Sequence, residues 1–241
     1  MTWQCWLKKR DLNILMRKLD ETCGKYGMKI NMGKTKVMKM GWSKGEPMDI
    51  VVGASRVKQV KKFRYLGSLV NEEGCCSDEI RGRIAMAKVA FNKRKRILCG
   101  PLNRSLKKRL VKSMVWSVAV YGAETWTLKK VDRNRLEAFE MWAWRRMEKI
   151  SWTRKMSNMN DVLALIGEER SLMRRVRGMK RNWVGHVLRE NGLMGSVLEG
   201  VVMGKRGRGR RRRGFMDCMV EGDGYVGVKR RAEDRVSWRN S

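Results

Sequence analysis

The sequence predicts an α+β fold: a small antiparallel sheet first, a mainly helical region next, and a basic, disordered tail last. Three observations point there. Apolar and polar residues alternate in short runs between Met28 and Val70, the period-two pattern of half-buried strands. From Ser77 the apolar spacing changes to three and four, the period of a helix buried along one side. After Glu190 glycine and arginine come to dominate. These shifts divide the chain into regions 1–75, 76–190 and 191–241.

Element by element, Leu12, Leu15, Met16, Leu19 and Cys23 repeat at helical spacing behind Asp11 as N-cap, and Gly24 and Gly27 stop the helix. "MKIN" and "TKVMKMG" read as strands joined by a turn at Gly33-Lys34-Thr35. "MDIVVG" is a third strand, with a turn at Ala54-Ser55, and "VKQV" and "FRYLGSLV" alternate as further strands. Ile80, Ile84, Ala87 and Phe91 then mark a helix that Gly100-Pro101 breaks. A second opens at Ser105 and carries Leu106, Leu110, Met114, Ser117, Val118 and Tyr121 on one face. A third follows Asp132, with Leu136, Phe139, Ala143, Met147 and Ile150. Shorter helices cover Val162–Ile166 and Ser171–Leu188, with Asp161 and Ser171 as caps. The tail holds one weak helical stretch, near Val228 to Val236.

Charge dominates the composition. Lys and Arg number 56 against 24 Asp and Glu, a net charge of +32 and a pI near 10.7. That balance favours polyanionic partners, nucleic acid foremost. Six cysteines without a CxxC pair, and a single histidine, supply no zinc site, so reduced thiols in a nuclear or cytoplasmic protein are expected. The N-terminal "MTWQCWLKKRDLNILM" lacks the apolar core of a signal peptide, and "MVWSVAVYGA" is about half a membrane span, so a soluble, unsecreted chain is expected.

Four features bear on chemistry. The "GKT" of residues 33–35 is not a P-loop: Gly27 leaves five residues before Gly33 where Walker A has four, and Thr35 opens a strand rather than a helix. His186, with no second histidine or paired cysteine, is expected to pack or cap rather than catalyse. Many of the ten tryptophans stand beside basic residues, as in "MWAWRRMEK". Trp142 and Trp144 lie about 200° apart on a helix and cannot both face one core. One of them is therefore expected at a surface, where with Arg145 and Arg146 it would stack a base and neutralise phosphate. Finally, seven of the nine residues from 205 to 213 are basic: Lys205, Arg206, Arg208, Arg210, Arg211, Arg212 and Arg213. Such a block makes sequence-independent phosphate contacts or signals nuclear import.

The succession "LNILMRKLDETCGKYGMKINMGKTKVMKMG" and "FRYLGSLV" resembles the palm of reverse transcriptases from non-LTR (LINE-type) retrotransposons. The resemblance continues through "EIRGRIAMAKVAFNK", "LVKSMVWSVAVYGAETWTL", "LEAFEMWAWRRMEKISW", "IGEERSLMRRVRGMKRNWVGHVLR" and "LEGVVMGKRGRGRRRR", from Asp11 to about Arg239. It implies a palm remnant, then a thumb and C-terminal region. Lys34 falls where that family has the lysine that protonates leaving pyrophosphate. Phe63, Tyr65, Leu66 and Gly67 fall on its primer-grip hairpin. The family's two magnesium ions are held by an aromatic-x-Asp-Asp pair just before the Asp11 helix, and this sequence contains no Asp-Asp. Arg211 stands where the family has proline. The resemblance thus implies a truncated RNA-directed DNA polymerase that has no metal cofactor of its own, leans away from enzymatic activity, and keeps sequence-independent affinity for RNA and DNA. The alternative is a non-enzymatic basic adaptor or chromatin protein domesticated from the same source.

Overall fold

A computed structural model describes residues 9–39, 48–157, 161–190, 192–199, 214–218 and 224–240. The chain divides into two compact units, one ending at Glu79 and one beginning at Ile80. The boundary falls four residues beyond the one expected from composition. The architecture is α+β, with small sheets first and helices after.

In the first unit, helix α1 (Lys9–Lys25) ends in a paired hydrogen-bond motif. The Met28 amide donates to the Cys23 carbonyl at 2.9 Å and the Gly27 amide to the Gly24 carbonyl at 3.1 Å. Gly27 has φ 67°, so the left-handed residue that reverses the chain is the second glycine, and Gly24 stays helical. Strands β1 (Lys36–Val37), β2 (Val51–Val52), β3 (Ser55–Arg56) and β4 (Lys58–Gln59) follow, each two residues long. β2 and β3 form an antiparallel hairpin that turns at Gly53-Ala54, one residue earlier than expected. β1 and β4 pair in parallel, because the whole β2–β3 hairpin lies between them and carries the chain back to the same end. "MKIN" forms no strand, yet Ile30 and Met32 still close the core: with Leu12, Met16 and Met48 they cover buried Val37, Ile50, Val52 and Val57. The longest antiparallel pair is the hairpin of β5 (Lys62–Tyr65) and β6 (Ser68–Asn71).

Helix α2 (Ser77–Lys93) leads into the second unit. There follow α3 (Lys95–Leu98), α4 (Arg104–Met114), α5 (Trp116–Ala119), α6 (Lys130–Met147), α7 (Leu163–Ile166), α8 (Leu172–Arg189), α9 (Leu193–Glu199), α10 (Gly224–Glu233) and α11 (Arg235–Asn240). α2 and α6 bury the faces read from sequence: Ile80, Ala87 and Phe91 on one, Leu136, Phe139, Ala143, Met147 and the following Ile150 on the other. The single helix expected after Ser105 is two, kinked at Val115, and its cap is Asn103, whose side chain accepts the Ser105 amide at 2.8 Å. Its buried residues are Val111, Val115, Trp116, Ala119 and Val120, and the expected face is left largely outside. Both faces are apolar, and periodicity alone does not say which one the core takes.

α8 does not use Ser171 as a side-chain cap. The buried Glu140 of α6 reaches across instead, accepting the Ser171 amide at 2.9 Å and the Leu172 amide at 3.1 Å. The described parts of the tail return to α8. Phe215 meets Trp183 edge-on at 5.5 Å, and Val228, Ala232 and Trp238 pack with Val184. A few apolar anchors do this in a segment whose average composition is highly charged.

Candidate nucleic-acid interface

Lys34 sits in a turn organised by Asn31. The Asn31 carbonyl accepts the amides of Lys34 at 3.1 Å and Thr35 at 2.9 Å and the Thr35 hydroxyl at 2.9 Å, and the Asn31 side chain also accepts the Lys34 amide at 3.1 Å. Asparagine supplies both main-chain and side-chain oxygens to one turn, which leaves Lys34 exposed at its apex.

Phe63, Tyr65, Leu66 and Gly67 come together on the β5–β6 hairpin, on a different turn from Lys34. Phe63 and Tyr65 are half-buried, and the alternating Lys62 and Arg64 are exposed, as the strand period requires. Leu66 (φ 47°) and Gly67 (φ 84°) make the two-residue turn, both in the left-handed region. A leucine there is uncommon, and its side chain is 69% exposed at the tip. The hairpin's base is tied to the first turn of α2. The Leu69 amide donates to the Glu79 carboxylate at 2.8 Å, and Lys62 pairs with Asp78 at 2.6 Å.

The Trp142–Arg146 cluster lies on the second unit and is only partly what the sequence suggested. Trp144 is fully buried, edge-on to Trp116 at 5.3 Å, and so cannot stack a base. This corrects the expectation for Trp144: its position on α6 faces the same side as Phe139's neighbours Glu140 and Met147, which line the interior. Arg145 is half-buried and donates to the Met156 carbonyl, a structural bond that holds its guanidinium against the protein. Trp142 is the residue at the margin. Its ring lies 6.0 Å from Phe139, nearly parallel, and 5.2 Å from Phe91, edge-on. Two cations stand over it, Lys88 Nζ at 5.3 Å from the ring centre and the exposed Arg146 guanidinium at 5.5 Å.

Sequence reasoning missed Lys88, which lies on α2, far from the "MWAWRR" motif. Its position three residues before the core residue Phe91 was the available clue. The Cys99 thiol donates to the Arg146 carbonyl at 3.2 Å, which sets the end of α3 beside this cluster, with exposed Lys95 and Arg96 on that short helix. The result is a partly exposed indole with two cations over its ring.

Other cations are committed internally. Arg104 makes a two-pronged pair with Glu148 at 3.2 and 3.3 Å and donates to the Leu165 carbonyl at 2.8 Å. Lys108 caps the end of α7 through the carbonyls of Ile166 at 3.1 Å and Gly167 at 3.3 Å. Lys112 donates to both Glu168 oxygens at 2.8 and 2.9 Å. Burial would raise the Glu168 carboxyl, but hydrogen bonding and charge from Lys112 and Lys108 prevail and hold it below its ordinary value. His186 is exposed, with Nε2 3.4 Å from Glu190 one helical turn on. The basic residues Lys205, Arg206, Arg208, Arg210, Arg211, Arg212 and Arg213 lie outside the described residues.

Among the described residues no group of three or more His, Cys, Asp or Glu side chains is placed to hold a metal ion. None of the described helices is long and apolar enough to cross a membrane.

A transposon-derived protein of Caenorhabditis elegans is 26% identical to this chain over 181 residues, covering 73% of the chain and 64% of that protein's length. The chain thus spans less than two thirds of the relative it matches. This similarity points to a mobile-element origin. No family model and no solved structure matches the chain.

Proposed function

We propose that this protein descends from the reverse transcriptase of a non-LTR retrotransposon, binds RNA and DNA independently of sequence, and performs no polymerase chemistry by itself. The mobile-element similarity supports the origin. The order of the Asn31–Lys34–Thr35 turn and the Phe63–Gly67 hairpin, both formed and both exposed at their tips, agrees with a palm remnant. The observation that carries the binding reading is the half-exposed Trp142 indole with Lys88 and Arg146 over its ring. An aromatic face beside unshared cations suits a base and its phosphate together.

The test is a salt titration of binding to a fluorescent single-stranded RNA and its DNA counterpart. Replacing Lys88 and Arg146 by alanine removes two phosphate contacts and should flatten the log-log salt slope by about 1.4. Trp142→Leu, which keeps an apolar plug against Phe91 and Phe139, should weaken binding by about 1–3 kcal/mol with the slope unchanged. An unchanged slope and affinity in both variants would place binding elsewhere. Primer extension on an RNA template above that of a Lys34→Ala control would refute the claim that the chain is catalytically silent.

A further inference from the structure

The helix pair α4–α5 carries two apolar faces and buries one. On the buried side Val111, Val115, Trp116 and Ala119 are each 1% exposed or less. On the other, Leu102 is 39%, Leu106 42% and Met114 39% exposed, with Leu110 half-buried between them. Leu106, Leu110 and Met114 recur at the four-residue spacing that aligns them along one side, a stripe about 12 Å long, and Leu102 stands just before the helix. Polar groups do not interrupt it. The Ser113 hydroxyl donates to the Leu110 carbonyl at 3.3 Å and the Ser117 hydroxyl to the Ser113 carbonyl at 2.5 Å, so both are turned back onto the helix. Tyr121 continues the spacing, but Arg83 already covers its ring at 4.3 Å.

The charges along α4 divide in the same way. Arg104, Lys108 and Lys112, on the far side, are taken by Glu148, Glu168 and the α7 carbonyls. Lys107 and Arg109 flank the stripe on either side, and α4 contains no acidic residue. An apolar track bordered by cations is complementary to a helix with an apolar seam bordered by carboxylates. We infer that this stripe docks an acidic amphipathic helix of a partner protein, about two to three turns long, seated between Lys107 and Arg109. A second copy is disfavoured because isologous pairing would oppose those cations in a molecule of net charge +32. Nucleic acid would engage the cations through phosphate and leave most of the Leu106–Met114 stripe uncovered. A bilayer needs side chains standing free enough to enter the acyl boundary, and these are more than half covered by their own helix surroundings.

The inference is independent of the nucleic-acid reading, and its test uses the full chain. Two fluorescent peptides of identical composition are compared: one places leucines on a single helical face between glutamates, the other scatters the leucines around the helix. The ordered peptide should bind, the scattered one about tenfold or more weaker, and Leu106→Gln with Met114→Gln should weaken the ordered peptide by about tenfold or more. Arg109→Glu should weaken it too. Equal binding of the two peptides, or indifference to the double substitution, overturns the proposal. So does a double variant that loses affinity for phosphatidylserine vesicles or for a single-stranded RNA, or that sediments at lower mass than the parent. A fall in melting temperature well beyond that of a surface substitution also overturns it, because the stripe would then be packed inside the molecule.

Discussion

Two glutamates behave oppositely because their surroundings differ. Glu140 is wholly buried, and desolvation raises its carboxyl above the ordinary value of 4.5 despite the Ser171 and Leu172 amides that pull it down. A raised carboxylic acid binds its proton more readily in the folded chain than in the unfolded one, so its contribution favours folding below the raised value and is lost as pH rises through it. Glu140→Gln keeps an acceptor for the two amides without the charge. It should therefore match or exceed the parent in stability at neutral pH, with the difference shrinking as pH falls from the raised value toward 4.5. Glu140→Ala strands both amides and should cost about 1–3 kcal/mol or more, with little pH dependence of its own. Glu168 has the reverse sign. Held low by Lys112 and Lys108, it stabilises the fold above the ordinary carboxylate value and ceases to do so as pH falls through its lowered one. Thermal melts of the three proteins from neutral pH down to the acid limit of folding decide this. A Glu140→Gln curve parallel to the parent throughout would show that the buried carboxyl is not titrating between the two values.

Among the elements, α8 carries the most. Its N-terminus is satisfied from α6, its middle is covered by Phe215, and its C-terminal half receives α10 and α11. Gly185 permits the last contact. A Cβ there would lie 2.2 Å from Trp238 Nε1 and 2.7 Å from Cδ1, and that rigid indole also donates to the Arg181 carbonyl at 3.1 Å. Gly185→Ala would gain helix propensity worth about 1 kcal/mol, yet it must expel the indole, so net destabilisation of roughly 1–3 kcal/mol is expected, with exposure of Trp238. A denaturant titration followed by tryptophan fluorescence measures both. Stabilisation by the alanine would mean that the ring does not lie against α8. These same elements show what a sequence reveals. The cores of α2 and α6 were legible because Ile80, Ala87 and Phe91 on one and Leu136, Phe139, Ala143 and Met147 on the other recur at helical spacing. α4 was misassigned because Leu106 and Val111 head two competing stripes, and only tertiary packing chooses. The cap of α8 was illegible, since Ser171 looks sufficient and Glu140 stands 31 residues earlier. Of the candidate site, the Trp142–Arg146 neighbourhood was visible as a motif, whereas Lys88 joins it through packing and Trp144 leaves it for the same reason.

Over the whole molecule the two units differ in how they are held. The first relies on strand pairs of two to four residues and one small cluster of valines and isoleucine, with Leu15, Leu19 and Tyr26 exposed. The second has long helices with several fully buried aromatic side chains. Local opening should follow that difference: hydrogen exchange at Val52 and Val57 should be faster than at Phe139, Ala143 or Val176, read by mass spectrometry of peptic fragments. Uniform protection would mean that the first unit is buttressed as firmly as the second. The fit of Gly185 to Trp238 has a further consequence, for how such a chain can drift. The two positions lie 53 residues apart, yet neither can change freely alone: a side chain at 185 is excluded while the indole stays, and a smaller residue at 238 leaves a groove that glycine cannot fill. Diverging copies of this sequence should therefore lose the pair together, and a copy with alanine at the first position should carry a small residue at the second.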